Sequence, residues 1–489
     1  MPNFLDIYYH LSVAQGFAKA GGFSAHDFWS YAPFGRPHLY PPLFHFLILA
    51  FLKSGLSALF IARLLDLLVF PLFLIVIWFF MRELFSRQLA FFAVLISSSL
   101  YSFYLASSNF MPVTIAFMFG LLSLLAHQKN RSICAAIFLA LCFYTHAQIP
   151  WFFILTYIFY GLSDRTNLAR CFKTAGLGIL LSLPMIIYLL RNIPAYHPKL
   201  AYENFVLELN LYLLLTILGL KKVFQEKSKY YLLLSLGISA FPFIFSYPYR
   251  YISGQGLVGW IFLSSLGLER IYVAAQVRRS FLILLVVLLL LFSPTLIFAP
   301  LERVFVTGRG FLTGSARDKN FKLAIFNSTY INLVSLEKTS QRPNDYSISS
   351  SKFIDELIKI VRKNSQDGDI IFTNLDFVGT MIASLSDRAD AKGMVREVLP
   401  EVKSDPIPNA RIIIWFKDYE ARPDKNLTAV VAKYNLEKIG ETDIAYIYRN
   451  NLVQSKEQLN RANIPSNTVF LICLLALSAL VWDLAQKQK

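Results

Sequence analysis

Apolar runs long enough to cross about 30 Å of hydrocarbon recur through the first 300 residues of this chain. Inside a bilayer the backbone groups of such runs must be satisfied within each segment, which leaves helices as the expected form. Spans can be drawn at about 57–81, 88–106, 110–127, 132–147, 149–163, 173–191, 206–220, 230–247, 252–269, 281–299 and 467–485, about eleven in all. The chain has 489 residues, of which 55% are hydrophobic and 16% charged, as a polytopic helical membrane protein requires.

The net charge of +16 would point to nucleic acid in a soluble chain. Here the basic residues gather in short loops instead: Arg82 and Arg87, Lys129 and Arg131, Arg165 to Lys173, Lys221 to Lys229, Arg270 to Arg279, and Lys487 with Lys489. These loops alternate along the drawn spans, so the positive-inside rule puts all of them, and the C-terminus, in the cytoplasm. The intervening loops then face outward, and no nucleic-acid partner is expected. Cys134, Cys142 and Cys473 lie in apolar runs and Cys171 in a basic loop, so neither a disulfide nor a zinc site is expected.

Four regions follow from this pattern. Residues 1–56 form a first extracytoplasmic segment, 57–300 a transmembrane bundle, 301–466 an extracytoplasmic α/β domain, and 467–489 a last transmembrane helix with a cytoplasmic tail. The run Leu43 to Leu52 follows Pro41-Pro42 and is too short to span, so it is expected as an interfacial helix. An outward amino terminus with no preceding helix leads us to expect a further helix upstream of Met1. In the α/β region, Ile370 to Phe372, Arg411 to Phe416 and Ile444 to Tyr448 suit strands, and Ser351 to Lys363 suits an amphipathic helix. It carries no P-loop, no GxGxxG, no nucleophile elbow and no metal-ligand spacing.

Chemistry concentrates at the start of the chain. Asp6 to Pro42 reads DIYYHLSVAQGFAKAGGFSAHDFWSYAPFGRPHLYPP, rich in ionisable and aromatic groups where an idle loop would be short. Asp6 and His10 are four apart and share a face if the segment is helical, with Tyr9 on a neighbouring face. A carboxylate held there can act as a base or bind a divalent cation, with His10 orienting it, although an Asp before a helical run also serves as a plain N-cap. Arg36 is a candidate contact for phosphate or for lipid headgroups. Arg250, in SYPYRYISGQG, is a candidate for clamping a phosphate bidentately, the alternative being an interfacial anchor among Tyr247, Tyr249 and Tyr251. Glu208, within FVLELNLYLLL, is a second candidate carboxylate. It would cost about 2 to 3 kcal/mol at the bilayer centre and less near the interface.

Asp6-x-Tyr8-Tyr9-His10, then Gly22, His26-Asp27, Pro33-x-Gly35, Tyr40-Pro41-Pro42 and Ala62-Arg63-Leu64, resembles the first external loop of the C-type (GT-C) membrane glycosyltransferases. The D-x-Y-Y-H string is most similar to relatives of the oligosaccharyltransferase catalytic subunit. The resemblance implies a polyprenyl-phosphate-linked sugar donor, a lipid, protein or glycan acceptor on the outer face of the cell membrane, and Asp6 as catalytic base or metal-associated carboxylate. With His10 as its catalytic partner, the expected substrate-binding set is Arg250, Arg36, Tyr9, Asp27 and Glu208.

Two departures bear on this. The next external turn, Ala106-Ser107-Ser108-Asn109-Phe110, lacks the carboxylate many relatives carry there, which argues against a divalent cation such as Mg or Mn. A WWDYG-like motif is absent from the C-terminal region, so asparagine glycosylation is not supported. The alternatives are an inactive scaffold with this fold, or a lipid or solute transporter. A transporter would place ionisable residues mid-membrane or break helices in two matching halves, and the sequence has no internal repeat.

Overall fold

The computed structural model describes residues 6–163, 165–195, 207–244, 249–274, 284, 286–289, 291–298, 322–327, 351–393, 398, 405–417, 427–453, 456–458 and 461–486. The chain divides into two compact units. One comprises Met1–Leu65, Ile187–Pro198 and Arg342–Leu477, the other Asp66–Ile186, Lys199–Gln341 and Ser478–Lys489.

The first unit joins the start of the chain to the α/β region. Helix α1, Asp6–Ala20, buries Ile7, Tyr8, Leu11, Val13, Ala14 and Phe17, and it ends at Gly21 in the left-handed conformation that glycine adopts without strain. Helix α2, Leu43–Lys53, forms where an interfacial helix was expected, and packs Phe44, His45, Phe46, Ile48 and Leu49 inward. A five-stranded sheet runs in the order Glu437–Glu441, Ala445–Arg449, Ile412–Phe416, Ile370–Thr373, Ala389–Asp390. Its last two contacts are parallel and its first two antiparallel. The predicted strands at 370–372, 411–416 and 444–448 are therefore present. So is the helix Ser351–Asn364, which buries Ile354, Leu357, Ile358 and Val361.

The N-terminal segment is stitched onto this sheet. Beyond the outer strand, Asp390 N–H donates to the Trp29 carbonyl at 2.9 Å and Ala32 N–H donates to the Asp390 carbonyl at 3.0 Å. Gly22–Phe23 pairs antiparallel with Ile464–Pro465. On α1, Gln15 Nε2 donates to the Ser384 carbonyl at 2.7 Å, and Lys19 Nζ lies 3.1 Å from the buried carboxylate of Glu457.

The second unit is mainly helical. Its core stacks aromatic rings, among them Phe73 on Phe103 and Phe80 on Phe262. Among the described residues of the whole chain, the helices long and apolar enough to cross a membrane are Ala58–Leu84, Met111–Gln128, Asn167–Arg191 and Arg250–Ala274. The pair Arg87–Ser99 and Tyr101–Asn109 makes a fifth if it counts as one span, and it is bent by 80°. Ser132–Thr145 and Ile149–Gly161 are apolar but shorter, about 20 Å each at the helical rise.

The drawn spans at 88–106, 206–220 and 281–299 differ in form. The run at 88–106 is not one straight helix, because it breaks at Leu100, whose backbone is extended. The run at 206–220 starts as strand Leu207–Asn210, and the run at 281–299 ends as strand Phe292–Phe298. These two pair antiparallel, and Phe292–Phe298 also pairs with Lys322–Asn327. Ser293-Pro294 explains the switch, since proline stops a helix, while Thr295 and Ile297 favour extended backbone. Pro294 lies beyond the end of the Leu207–Asn210 pairing, where the strand has a neighbour on one side only. Tyr247 and residues 299–321 lie outside the described residues.

Candidate active site

The opening turn of α1 places Asp6 and His10 on one face, as their spacing predicts, with His10 Nε2 3.2 Å from Asp6 Oδ2. The Asp6 side chain is 18% exposed and that of His10 only 1%. A carboxylate is thus offered at the surface while its partner is locked inside. His10 is held from behind by α2, where His45 Nε2 lies 2.8 Å from His10 Nδ1. Tyr40 and Phe44 pack edge-on to the His10 ring at 4.9 and 5.1 Å, and Tyr9 at 5.2 Å. The ring therefore has no room to rotate, and its two nitrogens are committed to Asp6 and His45.

Sequence reasoning missed His45, which sits in the apolar run LFHFLILAFLK and reads there as an ordinary core residue. Its one signal was the cost of burying an imidazole with no partner, which makes a lone histidine among phenylalanines a group in search of one. His38 extends the cluster, with its ring 5.7 Å from that of His45 and 5.6 Å from Trp29. Burial, with Arg36 and His10 adding repulsion, pushes His38 down to about 3, and burial with His10 and His38 nearby holds His45 well below its usual range. Both are neutral imidazoles at physiological pH.

Asp27 and Arg36 are brought together, but with each other. They face across a two-residue strand pair, with Arg36 Nε 3.0 Å from Asp27 Oδ2, at 2% and 0% side-chain exposure. Arg36 Nη1 also donates to the Val398 carbonyl at 2.7 Å, and the guanidinium lies 5.0 Å from the centre of the Tyr31 ring. Gly35 makes the turn possible, because its φ is +67° and a Cβ there would sit 2.2 Å from the Asp27 carbonyl oxygen. Tyr9 is buried at 3%, with its ring 6.2 Å from Tyr40. Neither Arg36, Asp27 nor Tyr9 is presented to solvent.

Arg250 belongs to the second unit, in a π-helical turn Tyr249–Ser253. Its Nη1 lies 3.0 Å from Gln148 Oε1 and 3.4 Å from His146 Nε2. His146 Nδ1 accepts the Gln148 N–H at 3.1 Å, just before the helix Ile149–Gly161. Tyr251 is core rather than an interfacial anchor, stacked on Phe152 and Phe243 at 6.0 and 5.1 Å. Glu208 is in a strand, its backbone paired with Ile297, and its side chain lies outside the described residues.

Among the described residues no three His, Cys, Asp or Glu side chains gather to hold a metal ion, and at Asp6 the adjacent imidazole has no free nitrogen.

The fold is similar to that of two proteins of known structure. It is similar to the crystal structure of the Archaeoglobus fulgidus oligosaccharyltransferase in complex with Zn and sulfate, with a TM-score of 0.51 and 13% identity over 84% of this chain. The chain spans 64% of the length of that protein. It is also similar to ArnT from Cupriavidus metallidurans in the apo state, with a TM-score of 0.50 and 12% identity over 92% of this chain and 94% of the other. No family model matches the sequence, and neither does any curated protein.

Proposed function

We propose that this protein is a membrane glycosyltransferase that moves a sugar from a polyprenyl-phosphate-linked donor to an acceptor at the extracytoplasmic face. The fold similarity supports the general class. The observation that carries the rest is the half-open Asp6–His10 pair, a solvent-facing carboxylate hydrogen-bonded to a buried, immobilised imidazole.

In this reading Asp6 takes the proton from the acceptor nucleophile as it attacks the sugar carbon, and the phosphate leaves with the electrons of the broken bond. His10 fixes the carboxylate and donates a hydrogen bond to the oxygen that is not receiving the proton. A general base so placed contributes about 10²- to 10⁴-fold. Arg250 is assigned to the donor phosphate, where a guanidinium fork matches two oxygens. Arg36 and Asp27 are assigned to bracing the first segment. The six basic loops support the orientation, with the first segment and the α/β region outside.

The test is incubation of the purified protein, in membranes, with a panel of radiolabelled polyprenyl-phosphate sugars, followed by extraction to locate the label. Transfer that disappears in Asp6→Asn supports the reading. Absence of transfer from every donor, or full transfer by that variant, removes it.

A further inference from the structure

Lys363, Arg411, Arg449 and Lys456 line one cleft of about 400 Å³ in the first unit, with Asp369 as the single carboxylate among its lining residues. The cations are gathered at one end of the strands. Lys363 closes the helix Ser351–Asn364, Arg411 leads into Ile412–Phe416, Arg449 ends Ala445–Arg449, and Lys456 lies beyond it. In register Arg449 stands opposite Ile412, which sets Arg449 and Arg411 side by side. Their backbones are pinned, since Arg411 N–H donates to the Ile370 carbonyl at 2.8 Å and Asn450 N–H to the Arg411 carbonyl at 3.0 Å.

Four cations against one lining carboxylate leave the cleft with an excess of positive charge. Asp369 Oδ2 is taken up by the Gln366 N–H at 2.7 Å. Arg411 Nη1 donates to the Asn450 carbonyl at 3.1 Å and Arg449 Nη2 to Asn364 Oδ1 at 2.6 Å, both neutral acceptors. The carboxylate facing Arg449 is that of the exposed Glu437, 3.9 Å from Nη1. Among the described residues, Arg449 Nε is buried with no hydrogen bond. Arginine stays charged at any physiological pH, so two guanidiniums and two lysines around one lining carboxylate repel one another unless an anion joins them.

We propose that this cleft binds a phosphoryl group carrying two or more negative charges, from a soluble phosphate ester or from a phospholipid headgroup. Forked guanidiniums match tetrahedral oxyanions bidentately, and the lysines supply further charge without demanding a direction. The site is independent of Asp6 and of any sugar donor, so its fate does not depend on the glycosyltransferase reading.

The experiment is a calorimetric titration of the full-length protein, in nanodiscs of zwitterionic lipid, with inorganic pyrophosphate. We expect saturable binding that weakens at least tenfold in Arg411→Gln/Arg449→Gln and stays within twofold in Lys417→Gln, which removes a lysine paired with Glu441 outside the cleft. Should the double arginine variant fail to fold, Lys363→Gln/Lys456→Gln removes the two exposed cations and is expected to weaken binding as well. Nanodiscs containing phosphatidic acid separate the sources, since a headgroup ligand suppresses pyrophosphate binding and a soluble one leaves it intact. No saturable binding, or an equal loss in Lys417→Gln, means diffuse charge and overturns the site.

Discussion

His45 Nε2 lies 2.8 Å from His10 Nδ1, and that contact sets which nitrogen of His10 faces Asp6 with a proton. The arrangement in which His10 Nε2–H donates to the Asp6 carboxylate has His10 Nδ1 accepting from His45 Nε2–H. The remaining nitrogen of His45, Nδ1, is then a bare acceptor, consistent with its having no partner among the described residues. His45 is in this sense a positioning residue. His45→Phe keeps the ring volume and removes the donor, so we expect turnover to fall about tenfold, one hydrogen bond's worth. Donor KM should stay unchanged; measuring both constants checks this, and a change confined to KM would count against it.

Asp6→Asn keeps shape and hydrogen-bonding size but cannot take a proton. Sugar transfer should fall by about 10²- to 10⁴-fold while the melting temperature of the protein in membranes stays within a few degrees. A parallel assay of transfer and thermal unfolding separates loss of chemistry from loss of fold.

Arg36 and Asp27 form a buried ion pair, and removing one partner leaves the other charge stranded. Arg36→Met should destabilise the first unit by about 3 to 5 kcal/mol. Replacing both, in Arg36→Met/Asp27→Leu, should recover much of that loss. Thermal unfolding of the single and double variants measures the difference, and additive losses would show that the two side chains act separately.

His38 makes stability depend on pH. Its folded-state value, about 3, lies below the ordinary 6.5, so the folded chain binds fewer protons than the unfolded one between those limits. Stability from this group is complete above about pH 6.5 and is lost as the pH falls, by about 2 kcal/mol on reaching pH 5. His38→Leu should flatten that part of the profile, which unfolding curves recorded from pH 7 to pH 5 would show.

Arg250→Ala should raise the donor KM more than it lowers turnover at saturating donor, as expected for a group that binds phosphate alike in ground and transition states. Steady-state kinetics across donor concentration is the measurement. An unchanged KM would leave Arg250 as a brace on Gln148 and His146.

The class of the molecule was legible because hydrophobicity is additive along a chain. The apolar runs announced membrane helices, the period of four between Asp6 and His10 announced a shared helical face, and the short β-rich runs at Ile370 and Ile412 announced a buried sheet. The spans at 206–220 and 281–299 were misjudged where the same apolar composition serves a strand, since hydropathy does not distinguish helix from strand once proline and β-branched residues intervene. Arg36 and Asp27, each a candidate ligand contact in the sequence, turned out to face each other because the turn at Gly35 brings them across a two-residue strand pair.

Local period and composition carried the apolar helices, the α/β region and the placing of a carboxylate and an imidazole on one turn of α1. Only the tertiary structure decided that α2 would bring His45 behind His10, that the first segment would extend the sheet beyond Ala389–Asp390, and that Arg411 and Arg449 would share a cleft. These pairings join residues tens to hundreds of positions apart. They depend on which surfaces bury against which, and no pattern within a single segment carries that information.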